Sequence, residues 1–386
     1  MKSYKPLFSR ALAAAPRRLH FAAHSHHLWP DASHAGHLQA WDDAAHLADL
    51  KWDRIFGDVI PTAQRHVAQE LHLPAPGTVG FAPNTHELVH RLFSAKLGAA
   101  PLDLLTSDGE FHSFRRQAAR WEEQGCVRQR IVPCEPFDTF TERYLDAVAQ
   151  KAPDIAFVSH VMYRSGLRFD GIDALAPYAQ PDGTWVVIDG YHAFMAIPFD
   201  LGRAADRVFY IGGGYKYAMA GEGAAFLHAP PGFGPRPVNT GWFAEFAGIE
   251  ARAQGVSYSP DGMRFMGATC DPSGLYRFNA VRAALHAENL DTDGIATRTA
   301  TLREKLEAAI ASGRLGALRE AALLRPNARG PQSRFIALRD ARAQNWKAEL
   351  LARDIVTDAR DDVLRIGLGL YHDDADIAAL CERLAG

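Results

Sequence analysis

The sequence has few cysteines, little net charge and no long apolar run. Its 386 residues include four cysteines without a CxxC pair, so neither a disulfide framework nor a cysteine metal site is expected. The formal net charge is −3, and no basic stripe suggests nucleic acid as a partner. No apolar stretch has the length of a signal peptide or a membrane helix. We therefore expect a cytoplasmic protein that binds neither nucleic acid nor membrane.

Short apolar runs alternate with amphipathic segments through the middle of the chain. This alternation predicts an α/β fold built on a mostly parallel sheet with crossover helices. Seven runs have the length and composition of strands. They are Thr78–Pro83, Leu102–Ser107, Arg128–Cys134, Asp154–His160, Trp185–Gly190, Arg207–Gly212 and Gly223–Ala229. We therefore expect a central sheet of seven strands.

The two ends of the chain predict a second, smaller unit of the α+β type. The pattern turns helical from Ser273 to about Gly313, and two further strands are predicted at Ser333–Asp340 and Val363–Leu368. We expect a large domain over residues 60–260 and a small domain formed by residues 1–59 together with 261–386.

A carboxylate and a lysine follow two successive predicted strands. Asp189 stands near the end of the run WVVIDG, residues 185–190, and Lys216 stands between Tyr215 and Tyr217 shortly after three glycines. Functional groups gather at the carboxyl ends of strands in open α/β sheets. Taken singly, Asp189 also suits a plain cap and Lys216 a structural role. Together they suit pyridoxal phosphate (PLP), because the lysine forms a Schiff base and the carboxylate keeps the pyridine nitrogen protonated.

Two weaker signals come earlier in the chain. Asn84 and Thr85 open a predicted helix, with Glu87 at capping-box spacing, and a helix N-terminus can hold a phosphate. Phe111 follows the second predicted strand, where its ring either stacks on a cofactor or joins the core. Four such signals in this order favour a PLP site.

The order of the motifs resembles the class V aminotransferase group of fold-type I PLP enzymes, and within it the kynureninase family. The motifs are Asn84-Thr85, Phe111-His112-Ser113, Asp189 with His192, Tyr215-Lys216-Tyr217, Gly241-Trp242-Phe243 and the arginine of LRIGLGLY, Arg365. The resemblance covers roughly Phe81 to Tyr371. It implies a fold-type I large domain with a smaller α+β domain, PLP as cofactor, and a homodimer with a shared active site.

The resemblance also implies a role for each residue. Lys216, Asp189 and Tyr215 would be catalytic. The cofactor would be bound by Asn84, Thr85, Phe111, Ser113, Ser165, Asp189, His192, Tyr215, Lys216 and, across the dimer, Trp242. Arg365 would grip the substrate α-carboxylate in a bidentate fork.

The segment HSHHLWP, residues 24–30, departs from the kynureninase pattern at the place where that family borders its substrate. We expect Ser25 and His26 to contact the substrate there. The three histidines have no acidic or cysteine partner nearby, so no metal site is predicted. Arg164, in SHVMYRSG, either lies near the cofactor ring or is a surface charge.

Three functions remain open at this point. The first is kynureninase-like hydrolysis of the Cβ–Cγ bond of a kynurenine-type amino acid to L-alanine and an anthranilate-type acid. The second is another class V reaction on a small amino acid, such as transamination, epimerisation or β-elimination. The third is a PLP-fold binding protein without catalysis. Cysteine desulfuration is disfavoured, because no cysteine lies between Cys270 and Arg365.

Overall fold

The chain forms a large sheet and a smaller antiparallel sheet, both flanked by helices. The structure is a computed structural model, and it describes residues 2–96, 98, 100–246, 248, 255–327 and 330–385. The strands are β1 (Leu19–His20), β2 (Val79–Ala82), β3 (Leu102–Ser107), β4 (Val127–Val132), β5 (Ile155–Ser159), β6 (Trp185–Asp189), β7 (Val208–Gly213), β8 (Ala225–His228), β9 (Ala322–Leu323), β10 (Phe335–Arg339), β11 (Ile355–Val356), β12 (Asp358–Arg360) and β13 (Val363–Gly367). The helices are α1 (Ser9–Ala13), α2 (Asp31–Leu47), α3 (Lys51–Arg54), α4 (Ile60–Leu71), α5 (Thr85–Ser94), α6 (His112–Glu123), α7 (Phe140–Gln150), α8 (Ile172–Leu175), α9 (Ser273–Ala287), α10 (Thr292–Ala311), α11 (Ala343–Ala352) and α12 (Asp374–Ala385). None of these described helices is both long and apolar enough to cross a membrane.

The large sheet has the strand order β2-β8-β7-β6-β5-β3-β4. Strand β8 runs antiparallel to both of its neighbours, and the other pairings are parallel. All seven predicted strands are confirmed, with their bounds shifted by a few residues at most. Every residue of β3, β5 and β7 is buried, as expected of parallel strands covered by helices on both faces.

The C-terminal part forms the smaller sheet, with the antiparallel order β12-β13-β10-β9. Strands β10 and β13 confirm the two strands that were predicted at Ser333–Asp340 and Val363–Leu368. The predicted helical span from Ser273 is two helices, because the chain turns at Asn289, which has a positive φ of 52°, and Asp291 then caps α10. Helix α9 packs into the core of the large sheet and α10 into that of the small one. The domain boundaries at residues 60 and 260 stay a prediction.

The N-terminal segment runs along the small sheet and then against the large core. Strand β1 pairs in parallel with β11, and Ala22 bridges Gly367 at the end of β13. Helix α2 then lies against α9 so closely that a Cβ atom on Gly36 would stand 2.6 Å from the Tyr276 carbonyl oxygen. Glycine at this position therefore permits the approach of the two helices.

A buried carboxyl group links the ends of two strands of the large sheet. Glu110, just after β3, accepts hydrogen bonds from the Ser107 and Ser159 hydroxyls, each at 2.5 Å, and from the Ser159 amide at 3.2 Å. Burial raises the pKa of Glu110 to about 7, and the neighbouring Asp189 charge acts in the same direction. Ser159 pairs with Asp189 across β5 and β6, so Glu110 fixes the strand end beside that carboxylate.

We expect Gly36→Ala to destabilise the fold by about 1–3 kcal/mol, because the added methyl group meets backbone atoms that cannot move aside cheaply. Gly57→Ala is the matched control, since a Cβ there would touch nothing within 4 Å and alanine favours helix. Urea unfolding of both variants measures the difference. Equal stability of the two variants would contradict the tight contact between α2 and α9.

We expect the stability advantage of the wild type over Glu110→Gln to fall as pH rises from about 4.5 to about 7. A carboxyl whose folded pKa is raised keeps its proton in this window while the unfolded chain loses it, so the native state becomes less favoured. The full change is at most about 3 kcal/mol. Unfolding free energies at several pH values measure it, and parallel profiles for the two proteins would refute the raised pKa.

Candidate active site

A cavity of about 410 Å³ opens at the carboxyl ends of the parallel strands of the large sheet and reaches the small one. It is lined by His24, Ser25, Asn84, Thr85, His86, Phe111, Ser113, Ser159, Val161, Tyr163, Asp189, Tyr191, His192, Tyr215, Lys216, Arg360 and Arg365. Its volume lies in the range of small-ligand pockets. Most of the residues predicted for catalysis and binding therefore come together here.

Lys216 projects into this cavity from the turn after β7. Its Nζ lies 2.5 Å from Nε2 of His192 and over the rings of Tyr191 and Phe111, at 4.9 and 5.3 Å from their centroids. Gly213 permits the tight packing, because a Cβ there would stand 2.9 Å from the Tyr191 ring. Burial lowers the pKa of Lys216, although the charge of Asp189 opposes the shift. A neutral amine is thereby favoured, which is the form that attacks a carbonyl carbon.

Asp189 and His192 stand beside this amine at the end of β6. The Asp189 Oδ1 atom accepts a hydrogen bond of 2.9 Å from the Tyr191 amide. Burial raises the pKa of Asp189, while that amide and the Lys216 charge lower it. Burial also holds the pKa of His192 well below its usual value, and its Nδ1 is buried without a hydrogen-bond partner among the described residues. A neutral imidazole nitrogen is therefore left to contact a ligand.

Two helices begin at the cavity. The Asn84 side chain caps α5 by accepting a 3.0 Å hydrogen bond from the Glu87 amide, which confirms the predicted cap. Thr85 is the first residue of α5, and Ser113 stands in the first turn of α6. Free amide groups and hydroxyls at two helix N-termini can hold a phosphate group.

Phe111 is at the cavity surface rather than in the core. Its exposed fraction is 39%, so the reading of Phe111 as a core residue is wrong. The Tyr163 ring meets it edge-on, with 5.5 Å between centroids. The Tyr163 hydroxyl lies 3.2 Å from Nε2 of His112. An exposed aromatic face at this point can cover a planar ligand.

The small sheet contributes two arginines and a carboxylate. Arg365, on β13, is only 2% exposed; it donates to the Tyr163 carbonyl at 2.5 Å and to Asp358 Oδ2. Asp358 Oδ1 accepts a hydrogen bond of 2.8 Å from Arg360. Burial lowers the pKa of Arg365, against the opposing charge of Asp358. The predicted carboxylate-binding arginine is thus at the cavity, but one of its donors already holds an internal carboxylate.

The N-terminal HSHHLWP segment borders the cavity through His24 and Ser25. Ser25 thus lies where it was predicted. His26 does not line the cavity; its ring packs edge-on against Tyr215 at 5.3 Å between centroids. His27 is buried, with Nδ1 2.7 Å from the Leu28 carbonyl and Nε2 accepting from an amide of the Leu370 turn. Across the described ranges, no group of three metal-ligating side chains is found.

Two predicted residues besides His26 lie away from the cavity. Ser165 is buried in a turn, where its hydroxyl accepts a hydrogen bond of 3.2 Å from the Leu167 amide. Trp242 packs against Trp52, with 5.8 Å between ring centroids, and its Nε1 donates to Thr269 at 3.0 Å. Neither side chain lines the cavity. The predicted homodimer, and with it a role for Trp242 in a partner's site, stays a prediction.

Several lining residues were missed from the sequence. Ser159 and His86 had a visible signal, because Ser159 ends a predicted strand and His86 follows Thr85 in the predicted helix. Tyr191 is two residues beyond Asp189 and could have been found in the same way. Tyr163 had a signal as well, because it lies beside Arg164 in SHVMYRSG. Arg360 had no comparable signal, since tertiary packing alone brings it to the cavity. Arg164 forms ion pairs with Asp361 and Asp362 outside the cavity.

No protein-family model matches the chain. Isopenicillin N epimerase of Streptomyces clavuligerus is 32% identical over 164 residues, which are 41% of this chain and 40% of the relative. Isopenicillin N epimerase of Amycolatopsis lactamdurans is 31% identical over 197 residues, 48% of this chain and 45% of the relative. The chain thus matches less than half of the length of these curated relatives.

Solved structures match over nearly the whole chain. A mutant of C-DES with glycine covalently linked to its PLP cofactor has a TM-score of 0.81 at 15% identity, covering 100% of this chain and 99% of that one. The cystine C–S lyase C-DES with cysteine persulfide gives 0.78 at 16% identity, covering 97% and 99%. A cysteine desulfurase of Escherichia coli gives 0.76 at 16%, covering 98% and 96%. The chain therefore has the fold of the fold-type I PLP enzymes.

Proposed function

We propose that this chain is a PLP-dependent enzyme of the class V aminotransferase group that removes and returns the Cα proton of an amino acid, with epimerisation as its reaction. The observation that carries the proposal is the buried Lys216 amine, held beside Asp189 and His192 in a cavity of cofactor size. A buried lysine without a complete set of fixed partners is costly to the fold. Its position in a polar cavity favours a chemical role over a structural one.

The residues of the cavity fit PLP in five respects. Lys216 offers an amine whose pKa is lowered by burial. Asp189 offers a half-buried carboxylate for the pyridine nitrogen, and the unpartnered His192 Nδ1 offers a contact to a ring substituent. The exposed Phe111 ring offers a stacking surface. The N-termini of α5 and α6 offer donors for the phosphate.

PLP, when bound, withdraws electrons from the Cα atom of an attached amino acid and so acidifies its proton. Lys216 would take this proton on its own face of Cα, and epimerisation further requires that a proton be returned on the opposite face. Asp189 would hold the ring nitrogen in its protonated form, since a cation and a nearby carboxylate each favour the charged state of the other. Arg365 orients the substrate through its α-carboxylate. The rings of Tyr191 and Phe111 exclude water from the amine.

The choice among class V reactions rests on the relatives. Both curated relatives named above are epimerases, which favours the alternative prediction over kynurenine hydrolysis, the first prediction from the sequence. β-Elimination is the second candidate, because a structural neighbour is a cystine C–S lyase and elimination begins with loss of the same Cα proton. Cysteine desulfuration remains disfavoured by the lack of a cysteine between Cys270 and Arg365.

One experiment separates these reactions. The purified protein is loaded with PLP and incubated in D₂O with a panel of L-amino acids that includes cystine and kynurenine. We expect exchange of the Cα proton by NMR, together with the D-isomer on a chiral column. Release of pyruvate from cystine would instead indicate a lyase, and anthranilate from kynurenine a hydrolase. If no amino acid exchanges its Cα proton, the proposed catalysis is wrong and a binding protein is the better reading.

Lys216→Ala should abolish the visible absorbance that PLP gives when it is attached to the protein, together with Cα proton exchange. The matched control is Lys96→Ala, because Lys96 is half-buried and, like Lys216, has a pKa lowered by burial, yet it lies over Trp185 outside the cavity. The control should keep both signals. A coloured, active Lys216→Ala protein would show that another group holds the cofactor.

A further inference from the structure

Two guanidinium groups share one carboxylate on the wall that the small sheet adds to the cavity. Asp358 on β12 stands directly opposite Arg365 on β13 in the antiparallel register, and Arg360 stands opposite Val363. Cross-strand partners on one face of a sheet lie within contact distance. The backbone pairing therefore places the Asp358 and Arg365 side chains together, with Arg360 two residues further on the same strand.

The two Asp358 oxygens are divided between the two arginines. Oδ1 accepts from Arg360 Nη1 at 2.8 Å, and Oδ2 accepts from Arg365 Nη2. The Asp358 side chain is 8% exposed, compared with 33% for Arg360 and 3% for Arg365. The carboxylate is thus buried between a deep arginine and a more open one, both of which line the cavity.

Each guanidinium keeps donors beyond this shared carboxylate. Nε of Arg360 and Nε of Arg365 are both buried without a partner among the described residues. A guanidinium group suits a carboxylate through its paired N–H donors, so two arginines on one wall can hold two carboxylates. Here one of the two carboxylates already belongs to the chain, so the wall carries one unbalanced positive charge rather than two.

We propose that Asp358 acts as a resident second carboxylate, so that the site accepts amino acids with one carboxylate and rejects dicarboxylic ones. This inference rests on the proposed function, because it concerns the substrate of the same site. Arg365 binds the α-carboxylate, and Arg360 and Arg365 share the Asp358 carboxylate beside it. Asp358 is therefore a specificity-determining residue that acts through the two arginines.

The physical basis is repulsion between like charges in a partly buried place. A second substrate carboxylate directed at Arg360 would approach the Asp358 carboxylate, where poor solvation makes repulsion strong. Discrimination of this kind is achieved by building an unfavourable contact against the wrong ligand. Asparagine at this position would keep the shape and one acceptor oxygen but remove the charge. The two guanidinium groups would then be free to bind two carboxylates.

The test measures binding of butyrate and succinate to the PLP-loaded protein by isothermal titration at neutral pH, where succinate carries two negative charges. For the wild type, we expect butyrate to bind at least as tightly as succinate. For Asp358→Asn, we expect the affinity ratio to shift towards succinate by about tenfold, because the repulsive charge is gone. Arg365→Gln should weaken the binding of both ligands.

Several outcomes separate this inference from its alternatives. If Asp358 only holds Arg365 in place, Asp358→Asn weakens the binding of butyrate and succinate equally. The ratio of the two affinities then stays unchanged, which overturns the proposal. A wild type that prefers succinate by about tenfold overturns it without any variant, even if Asp358→Asn does not fold. Failure of the proposed function looks different, because the protein would then take up no PLP, or butyrate binding would be indifferent to Arg365→Gln.

Discussion

The site depends on the burial of one amine, that of Lys216, at the carboxyl ends of the strands of the large sheet. Water cannot solvate Lys216 Nζ freely, so its charged form is disfavoured. Asp189 offsets part of that cost, and the rings of Phe111 and Tyr191 keep water out. The glycine at position 213 is needed because no side chain fits between the turn and Tyr191. Burying the amine costs free energy of folding, and nothing would offset that cost in a protein whose cavity had no function.

The site joins two sheets that are built by different kinds of sequence. The large sheet supplies the amine and its neighbours from parallel strands that are distant in the chain. The small sheet supplies Arg365 and Asp358 from an antiparallel pair of adjacent strands, so their contact follows from local register. The N-terminal segment joins both parts, because Ala22 bridges Gly367 and so brings His24 to the cavity. Because Lys216 belongs to the large sheet and Arg365 to the small one, any relative motion of the two sheets would change the distance between the Lys216 amine and the Arg365 guanidinium.

The sequence predicted the fold and the centre of the site because both have short-range signals. Buried parallel strands are continuous apolar runs, and Asp189 and Lys216 follow such runs directly. Trp242 was placed at the cofactor by resemblance alone, and in this protomer aromatic packing against Trp52 holds it elsewhere. Glu110 and Arg360 could not be predicted, because their roles depend on partners that only the folded chain brings near. Local pattern thus predicts elements and their ends, while contacts between distant elements need the structure.

The division between the sheets also explains how one fold can carry many reactions. The amine, its carboxylate and the two helix N-termini suit any chemistry that starts by loosening a Cα proton, so they do not choose the substrate. That choice falls to the wall contributed by the small sheet, where a single charge, that of Asp358, decides how many carboxylates two arginines can accept. A change there leaves the large sheet and its strand ends untouched. Specificity can therefore diverge on this fold without disturbing the buried amine on which its chemistry depends.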